Sequence, residues 1–295
     1  MYKIYNNSIS YSGNNSTLTR LSKLLNLELT DILEKYMIGI HAFKFGKILK
    51  GGEIFILIIG GTDINEDIYN INKINIILNC CNKAKYIVAF NKYIYEKLTK
   101  IVQDVNKIKI IPQSIIKMEG GNYNLQKTLD NKYNLTPKKI FLWVGNLRTV
   151  KDPLFLKDLS EYFEEKNYLL IFIGSIIEGI YNFPKNFIHL GPLCQKDIIC
   201  CYQQSNGLIN TSLSEGMSTS ILEAMMYKCP VFARDNEGNR SIIINNYNGY
   251  LFSNSKEFKI IIEKPCKYII SNAYDYVIKN HNSDKERTLY NNLIT

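Results

Sequence analysis

Apolar, strand-like runs alternate with helical stretches along most of this 295-residue chain. The predicted strands lie at 53–60, 86–90, 109–112, 140–145, 168–174, 187–190, 208–210, 229–233 and 249–252. The predicted helices between them lie at 70–81, 92–105, 153–165, 195–204 and 218–226. Near-continuous apolar strands separated by helices are typical of parallel sheets that are covered on both faces. We therefore predict an α/β protein.

The length of the chain favours two domains over one. Residues 118–137 are rich in Asn and Lys and contain Gly120, Gly121 and Pro137, so a linker is predicted there. We expect an N-terminal domain at 1–117, a C-terminal domain at 138–270 and a helical tail at 271–295. The N-terminal domain looks trimmed, because the run at 2–9 is too polar for a buried parallel strand. The stretch from Leu25 to Ile38 leaves room for little more than one short helix.

Two carboxylates, Glu215 and Glu223, lie eight positions apart around Gly216 in a predicted strand–loop–helix segment. Ser218 or Thr219 is expected to cap this helix. A carboxylate accepts paired hydrogen bonds, which suits the adjacent hydroxyls of a ribose or a hexose. The free N–H groups at the helix start suit a diphosphate. The same pattern also fits a surface helix with a solvated glutamate at each end.

This segment resembles the nucleotide-sugar signature of GT-B glycosyltransferases of the family 4 type, with Met217 and Ser218 where Phe and Gly are commoner. A second segment agrees with the resemblance: an apolar strand ends at Gly145 and is followed by Arg148 and Lys151. In the family, an Arg and a Lys at this place clamp the donor diphosphate. Lys151 falls in register, whereas Arg148 is shifted from the position where Asn146 stands.

The N-terminal half is similar to one branch of the family, that of glycosyltransferase 1 domain-containing protein 1. The similar segments are the first loop from Ser12 through Gly13 to Arg20, the Gly-Ile-His segment that ends at His41, and the Gly-Gly-Thr-Asp segment that ends at Asp63. The resemblance implies that His41 faces the transferred sugar; a core histidine satisfied by backbone fits the residue as well. Asp63 is expected either to bind the acceptor or to hold its loop. Arg240 lies in a loop that contacts the donor in this fold.

The resemblance implies two Rossmann-like domains facing a cleft, with the last helix crossing back to the first domain. It also implies a retaining transferase that moves a hexosyl-type group from a UDP- or GDP-linked sugar to an unknown acceptor. Gly145, Gly216, Met217, Ser218, Thr219 and Glu223 would bind the donor, and His41, Arg148, Lys151 and Glu215 would act in catalysis. No cofactor and no metal are expected, because the basic side chains would stabilise the leaving diphosphate. A degenerate protein that binds a nucleotide sugar without turnover and a sugar-nucleotide epimerase are the alternatives.

The net charge of +9 is spread evenly along a chain that is also rich in Asn, Ile and Tyr. Basic runs with interleaved aromatics are lacking, so nucleic acid is not an expected partner. The seven cysteines and three histidines fit no zinc motif, and the cysteines are expected to be small buried residues in a reducing compartment. The absence of a signal-peptide pattern and of a long apolar run predicts a cytoplasmic protein without a transmembrane segment.

Overall fold

A computed structural model describes residues 1–6 and 13–295 of the chain. The described residues form two compact units. The first unit contains Met1–Ser114, Glu215–Met217 and His281–Thr295, and the second contains Ile115–Ser214 and Ser218–Asn280. Each unit is built on one six-stranded sheet, and every strand pairing in both sheets is parallel. The predicted α/β architecture is therefore confirmed.

The first sheet has the strand order β2-β1-β3-β4-β5-β6. Its strands are β1 Lys3–Tyr5, β2 Leu29–Thr30, β3 Tyr36–Ile40, β4 Ile54–Ile58, β5 Tyr86–Ala89 and β6 Ile108–Ile110. The helices that follow them are α1 Gly13–Leu25, α2 Ala42–Gly46, α3 Gly61–Asn65, α4 Ile71–Lys83 and α5 Lys92–Leu98. The direction of strand addition reverses between β1 and β3. In sheets of this kind the carboxyl ends of such strands mark the usual ligand site.

The expectation that the polar run at 2–9 cannot form a buried parallel strand was wrong for Lys3–Tyr5. Ile4 is fully buried there, and the neighbouring strand β2 occupies the stretch in which only a helix was expected. The amide of Ile4 donates to the Glu28 carbonyl, and the amide of Asn6 donates to the Thr30 carbonyl. Backbone pairing with a strand on each side holds β1, so a short strand with one buried apolar side chain suffices at this place in the sheet.

The second sheet has the strand order β12-β11-β10-β7-β8-β9. Its strands are β7 Lys139–Val144, β8 Tyr168–Ile173, β9 Phe187–Gly191, β10 Gly207–Asn210, β11 Val231–Arg234 and β12 Tyr250–Phe252. This is the order of a doubly wound Rossmann sheet, and its reversal point lies between β7 and β10. The helices of this unit are α6 Leu125–Tyr133, α7 Ser160–Glu165, α8 Gln195–Gln204, α9 Thr219–Met226, α10 Glu237–Arg240, α11 Ser255–Ile261 and α12 Lys267–Asn280.

Several segments differ from the sequence-based prediction. The segment predicted as a linker, 118–137, contains α6, which packs on α8 of the second unit. The predicted helix at 153–165 is reduced to a 3-10 turn at Lys157–Leu159 and the short α7. The predicted helix at 92–105 ends at Leu98. The last helix, α13 Ser283–Ile294, belongs to the first unit.

Each unit has its own hydrophobic core. Isoleucines and valines of β3, β4 and β5 dominate the core of the first unit, whereas aromatic side chains dominate that of the second. Five of the seven cysteines are buried. Burial raises the pKa of the Cys81 thiol to about 12, so this side chain behaves as a small apolar residue. Within the described residues, every helix is too short or too polar to cross a lipid bilayer.

Candidate functional site

The loops that leave β7 and β8 approach each other at the carboxyl edge of the second sheet. Gly145 has a φ of +152° and Gly174 a φ of +147°. A Cβ atom added at Gly174 would lie 1.9 Å from the carbonyl oxygen of Gly145, so only glycine fits there. The predicted donor-binding Gly145 thus lies in a tight turn at the carboxyl end of β7.

Lys151 closes a 3-10 turn, Thr149–Lys151, that follows β7. The hydroxyl of Thr211 donates to the carbonyl of Lys151 at 2.9 Å, and the amide of Leu213 donates to the carbonyl of Val150 at 2.9 Å. Thr211 and Leu213 lie in the loop after β10. These bonds join the turn of Lys151 to the loop that leads into α9. The two loops leave the two strands between which the sheet order reverses.

Arg148 lies just before that turn and is half-buried. Within the described part of the chain, the ion pairs lie at other residues and none involves the Arg148 side chain. A half-buried guanidinium is a strong donor for an anion with two oxygens in one plane. The arrangement therefore suits a phosphate-bearing ligand.

Glu215, Gly216 and Met217 group with the first unit. Gly216 and Gly61 touch backbone to backbone: a Cβ on Gly216 would lie 2.7 Å from the Cα of Gly61. The side-chain amide of Asn91 donates to the Gly216 carbonyl at 2.7 Å, and that of Asn65 donates to the Glu215 carbonyl at 3.2 Å. Glu215 is only 8% exposed, so the interpretation of a solvated glutamate at this end does not hold.

The start of α9 carries a buried polar cluster. Ser218 is the N-cap residue, as the sequence predicted, but its side chain makes no capping hydrogen bond. Its hydroxyl instead accepts from the Asn210 amide at 3.3 Å and contacts the Ser220 hydroxyl. Asn239 is fully buried and donates to Asn210 at 3.2 Å. The Ser218 side chain thus does not cap the N–H groups at this helix start, and the amino end of a helix attracts anions.

Glu223 lies one turn inside α9 and is held by two side chains of α8. Gln195 donates to one carboxylate oxygen at 2.9 Å, and the Tyr202 hydroxyl donates to the other at 3.2 Å. Burial raises the pKa of Glu223 to about 7, against the two hydrogen bonds, which lower it. The carboxyl group is therefore poised between its two protonation states near neutral pH.

His41 lies at the carboxyl end of β3, beside the reversal point of the first sheet. It has a φ of +74°, a conformation that is strained for a residue with a side chain. The carboxylate of Asp63 accepts from the amides of Ala42, Phe43 and Gly60 at 2.9, 3.3 and 3.0 Å. Nδ1 of His41 lies 2.6 Å from Asp63, outside hydrogen-bonding geometry. Of the two roles expected for Asp63, these contacts favour holding the loop.

Donor atoms of His41, Asp63 and Asp67 all lie within 4.8 Å of one another, a spacing that a metal ion could use. However, Lys73 already pairs with Asp67 at 2.6 Å, and backbone amides occupy the carboxylate of Asp63. The two carboxylates are therefore already held by protein donors.

Two predicted positions lie apart from these clusters. Gly13 is the exposed first residue of α1, and Ser12, which begins the segment similar to the family's first loop, lies outside the described residues. Arg240, on α10, forms a two-pronged ion pair with Asp235 at 2.6 and 2.9 Å.

Sequence reasoning missed Thr211, Arg234 and Asn91. Thr211 and Arg234 lie at or just beyond the carboxyl ends of β10 and β11, and that position was the available signal. For Asn91 the available signal was its place between β5 and α5, directly before the helix.

Comparisons with known proteins agree with the fold. Residues 126–279 match the family model described as glycosyl transferases group 1. The chain is 35% identical over 284 residues to glycosyltransferase 1 domain-containing protein 1 of Xenopus tropicalis, and the alignment covers 88% of this chain and 82% of that protein. It is 26% identical over 182 residues to UDP-Gal:alpha-D-GlcNAc-diphosphoundecaprenol alpha-1,3-galactosyltransferase of Escherichia coli, with coverage of 52% and 46%.

Solved structures give the same result. HepE of Anabaena, crystallised in complex with UDP-glucose, is similar with a TM-score of 0.81 and 13% identity, covering 99% of this chain and 98% of that one. TarM is similar with a TM-score of 0.69 and 16% identity, covering 88% and 54%. At these identities the likeness establishes the GT-B fold and nothing finer.

Proposed function

Because the chain belongs to the family of glycosyl transferases group 1, we propose that it is a retaining transferase of the family 4 type. It takes a hexosyl-type group from a nucleotide sugar and passes it to an acceptor. The hydrogen-bonded pairing of the Lys151 turn with the loop after β10 carries this proposal. It brings a cationic turn to the reversal point of the sheet, where ligands of this fold bind.

The proposed chemistry is electrostatic. As the sugar leaves, negative charge develops on the diphosphate, and Arg148, Lys151 and the amides at the start of α9 stabilise it. Each charge-assisted hydrogen bond of this kind contributes about 1.5–3 kcal/mol. These groups supply positive charge without a divalent metal. His41 is proposed to face the transferred sugar.

The two glutamates are proposed to hold the donor. The carboxylate of Glu223 would accept from the two ribose hydroxyls, and Glu215 would accept from hydroxyls of the sugar. HepE of Anabaena was crystallised with UDP-glucose and the similar Escherichia coli protein is a UDP-Gal transferase, which makes UDP-linked sugars the first donors to test. GDP-linked sugars remain in the panel.

Binding without turnover was the main alternative, and the expectation of a trimmed N-terminal domain was the reason for it. The expectation of a trimmed domain does not hold, because the first unit has six strands within the described residues. We therefore propose an active enzyme, and turnover is measured as release of free UDP or GDP in the presence of sugar acceptors.

A thermal-shift screen with UDP- and GDP-sugars tests donor binding. A donor at 100 times its Kd stabilises the protein by about 2.7 kcal/mol. We expect the shift in the wild type and its loss in Lys151→Ala and Glu223→Gln. The matched control is Lys166→Ala, an exposed lysine that precedes β8 at the opposite edge of the sheet. Equal shifts in all four proteins, or a shift with none of the donors, would count against the site. An isomerised sugar nucleotide formed without acceptor would instead indicate an epimerase.

A further inference from the structure

The turn that carries Lys151 is held by a buried relay of two hydrogen bonds. The indole N–H of Trp143, on β7, donates to the Thr211 hydroxyl at 2.9 Å. The same hydroxyl donates to the Lys151 carbonyl at 2.9 Å. Trp143 and Thr211 are both almost fully buried. An indole N–H can only donate, so it fixes the direction of the Thr211 hydroxyl proton toward Lys151.

An ion pair holds the next residue of the turn. Asp152 has a φ of +41°, a conformation disfavoured for a residue with a Cβ atom. Arg234, the last residue of β11, donates to the Asp152 carboxylate at 2.7 Å. Its guanidinium carbon also lies 4.0 Å from the centre of the Phe155 ring. Asp152 is therefore held in place from the side of β11.

The relay and the ion pair act on adjacent residues from two different strands. Thr211 follows β10 and Arg234 ends β11, so the turn after β7 is fixed to the carboxyl ends of the adjacent strand β10 and of β11, the strand beyond it. Arg234 also approaches the Thr211 carbonyl at 3.4 Å, which connects the two devices. Since Asp152 neutralises Arg234, the arginine is suited to hold the turn rather than to bind an anion itself.

We propose that Thr211 and Arg234 are positioning residues that fix the backbone of Lys151 so that its ammonium group meets the donor diphosphate. This inference rests on the function proposed above for Lys151. A side chain that must meet a charged ligand loses affinity when its backbone moves by a fraction of an ångström, because the binding geometry is no longer prepared in advance.

The test compares Thr211→Val, which keeps the shape but removes the hydroxyl, with Thr211→Ser, which keeps the hydroxyl. Affinity for UDP is measured by titration calorimetry, and amide hydrogen exchange is measured in peptides that cover 148–155. We expect Thr211→Val to weaken UDP binding roughly three- to tenfold and to speed exchange of the turn. Thr211→Ser restores both values. Where turnover is measurable, Thr211→Val lowers kcat/KM through the same loss.

The matched control is Ser205→Ala. Ser205 lies just before the opposite end of β10, and its hydroxyl also donates to a backbone carbonyl, that of Tyr202 at 3.1 Å. Its removal leaves UDP affinity and exchange at 148–155 unchanged. Arg234→Gln removes the ion pair with Asp152 at a partly exposed residue. We expect this variant to weaken UDP binding as well. The test therefore does not depend on the folding of a single variant.

The outcomes separate this inference from the proposed function. Loss of UDP binding in Lys151→Ala together with wild-type affinity in Thr211→Val and Arg234→Gln overturns the positioning role alone. Unchanged exchange of the turn in Thr211→Val overturns it as well. Failure of the wild type to bind UDP or any nucleotide sugar overturns the proposed function and the positioning role together.

Discussion

Asp63 in the first unit is a fully buried carboxylate and Glu223 in the second is a partly buried one, and their hydrogen-bond donors differ. Backbone amides of Ala42, Phe43 and Gly60 supply the hydrogen bonds of Asp63. Two side chains, Gln195 and Tyr202, supply those of Glu223. A carboxylate has about four acceptor positions. Three amides fill three of these positions in Asp63, and the imidazole of His41 lies 2.6 Å from the same carboxylate, whereas Glu223 keeps about two positions for a ligand.

The difference separates a structural carboxylate from one suited to binding. Asp63 holds the strained backbone at His41 through hydrogen bonds from main-chain amides, which cannot move away unless the segment unfolds. Glu223 is held by side chains that can turn, and burial keeps its carboxyl near its protonation midpoint at neutral pH. Removing Asp63 should therefore mainly lower the stability of the fold. Removing Glu223 should mainly change ligand binding and the pH dependence of stability and affinity.

The largest effect is expected for Asp63→Ala. The substitution leaves three amide donors near a fully buried site without their acceptor, and each such group costs about 1–3 kcal/mol. We expect a loss of more than about 3 kcal/mol in the free energy of unfolding, measured by urea denaturation. Asp158→Ala, at an exposed carboxylate bonded to Ser255, should change it by less than about 0.5 kcal/mol. Similar losses of stability in the two variants would contradict the structural role of Asp63.

An intermediate effect is expected for Glu223→Gln, and it depends on pH. The pKa of Glu223 is about 7 in the folded protein and has its ordinary value of 4.5 in the unfolded chain. The folded state thus binds more protons between these values, and the wild type loses stability as the pH rises through this window. The loss is up to about 1.4 kcal/mol per pH unit. Glu223→Gln does not titrate there, so its stability curve should be flatter between pH 5 and 8. Parallel curves would show that Glu223 is not desolvated.

The same titration affects binding, with the opposite sign. In the proposed contact the ribose is bound by the ionised carboxylate, so affinity for UDP-glucose should fall as the pH drops below about 7, by at most tenfold per unit. UDP-glucose suits this test because its diphosphate is esterified at both ends and does not titrate in this range. A pH-independent affinity would contradict the proposed contact between Glu223 and the ribose.

The smallest effects are expected at the two partners of Glu223. The hydrogen bond from Tyr202 lowers the pKa of Glu223, so Tyr202→Phe should move the midpoint of UDP-glucose binding to higher pH. Gln195 is exposed, so water can replace it, and Gln195→Ala should shift the midpoint less. Both are read from affinity measured over pH 5 to 8. A larger shift in Gln195→Ala than in Tyr202→Phe would reverse the roles assigned to the two donors.

Much of the fold was predictable from local pattern. The helix 195–204 and the strands at 140–145 and 168–174 agree with α8, β7 and β8 to within a residue. Periodicity identifies such elements because each buries an apolar face. The short strand β1 and the edge strand β2 escaped prediction, since backbone pairing with neighbours distant in sequence holds them and their own side chains carry little signal.

The candidate site was predictable in part for a similar reason. The order of strand, loop and helix placed Lys151, Ser218 and Glu223 at or near carboxyl ends of parallel strands, because chain direction alone determines which end of a strand carries its following loop. The contacts of those residues were not predictable. Thr211 lies 60 residues from the carbonyl it holds, and Arg234 lies 82 residues from the carboxylate it pairs with.

By itself, the sequence determined the fold class, the family signature and the strand ends at which polar side chains gather, because these depend on periodicity and on short-range order. Only the tertiary structure decided which groups are satisfied by the protein. It gave Asp63 three backbone donors and raised the pKa of Glu223. It also left Arg148 without an ion pair within the described residues. Desolvation and hydrogen-bond partnership depend on neighbours from distant parts of the chain, and they exist only once it is folded.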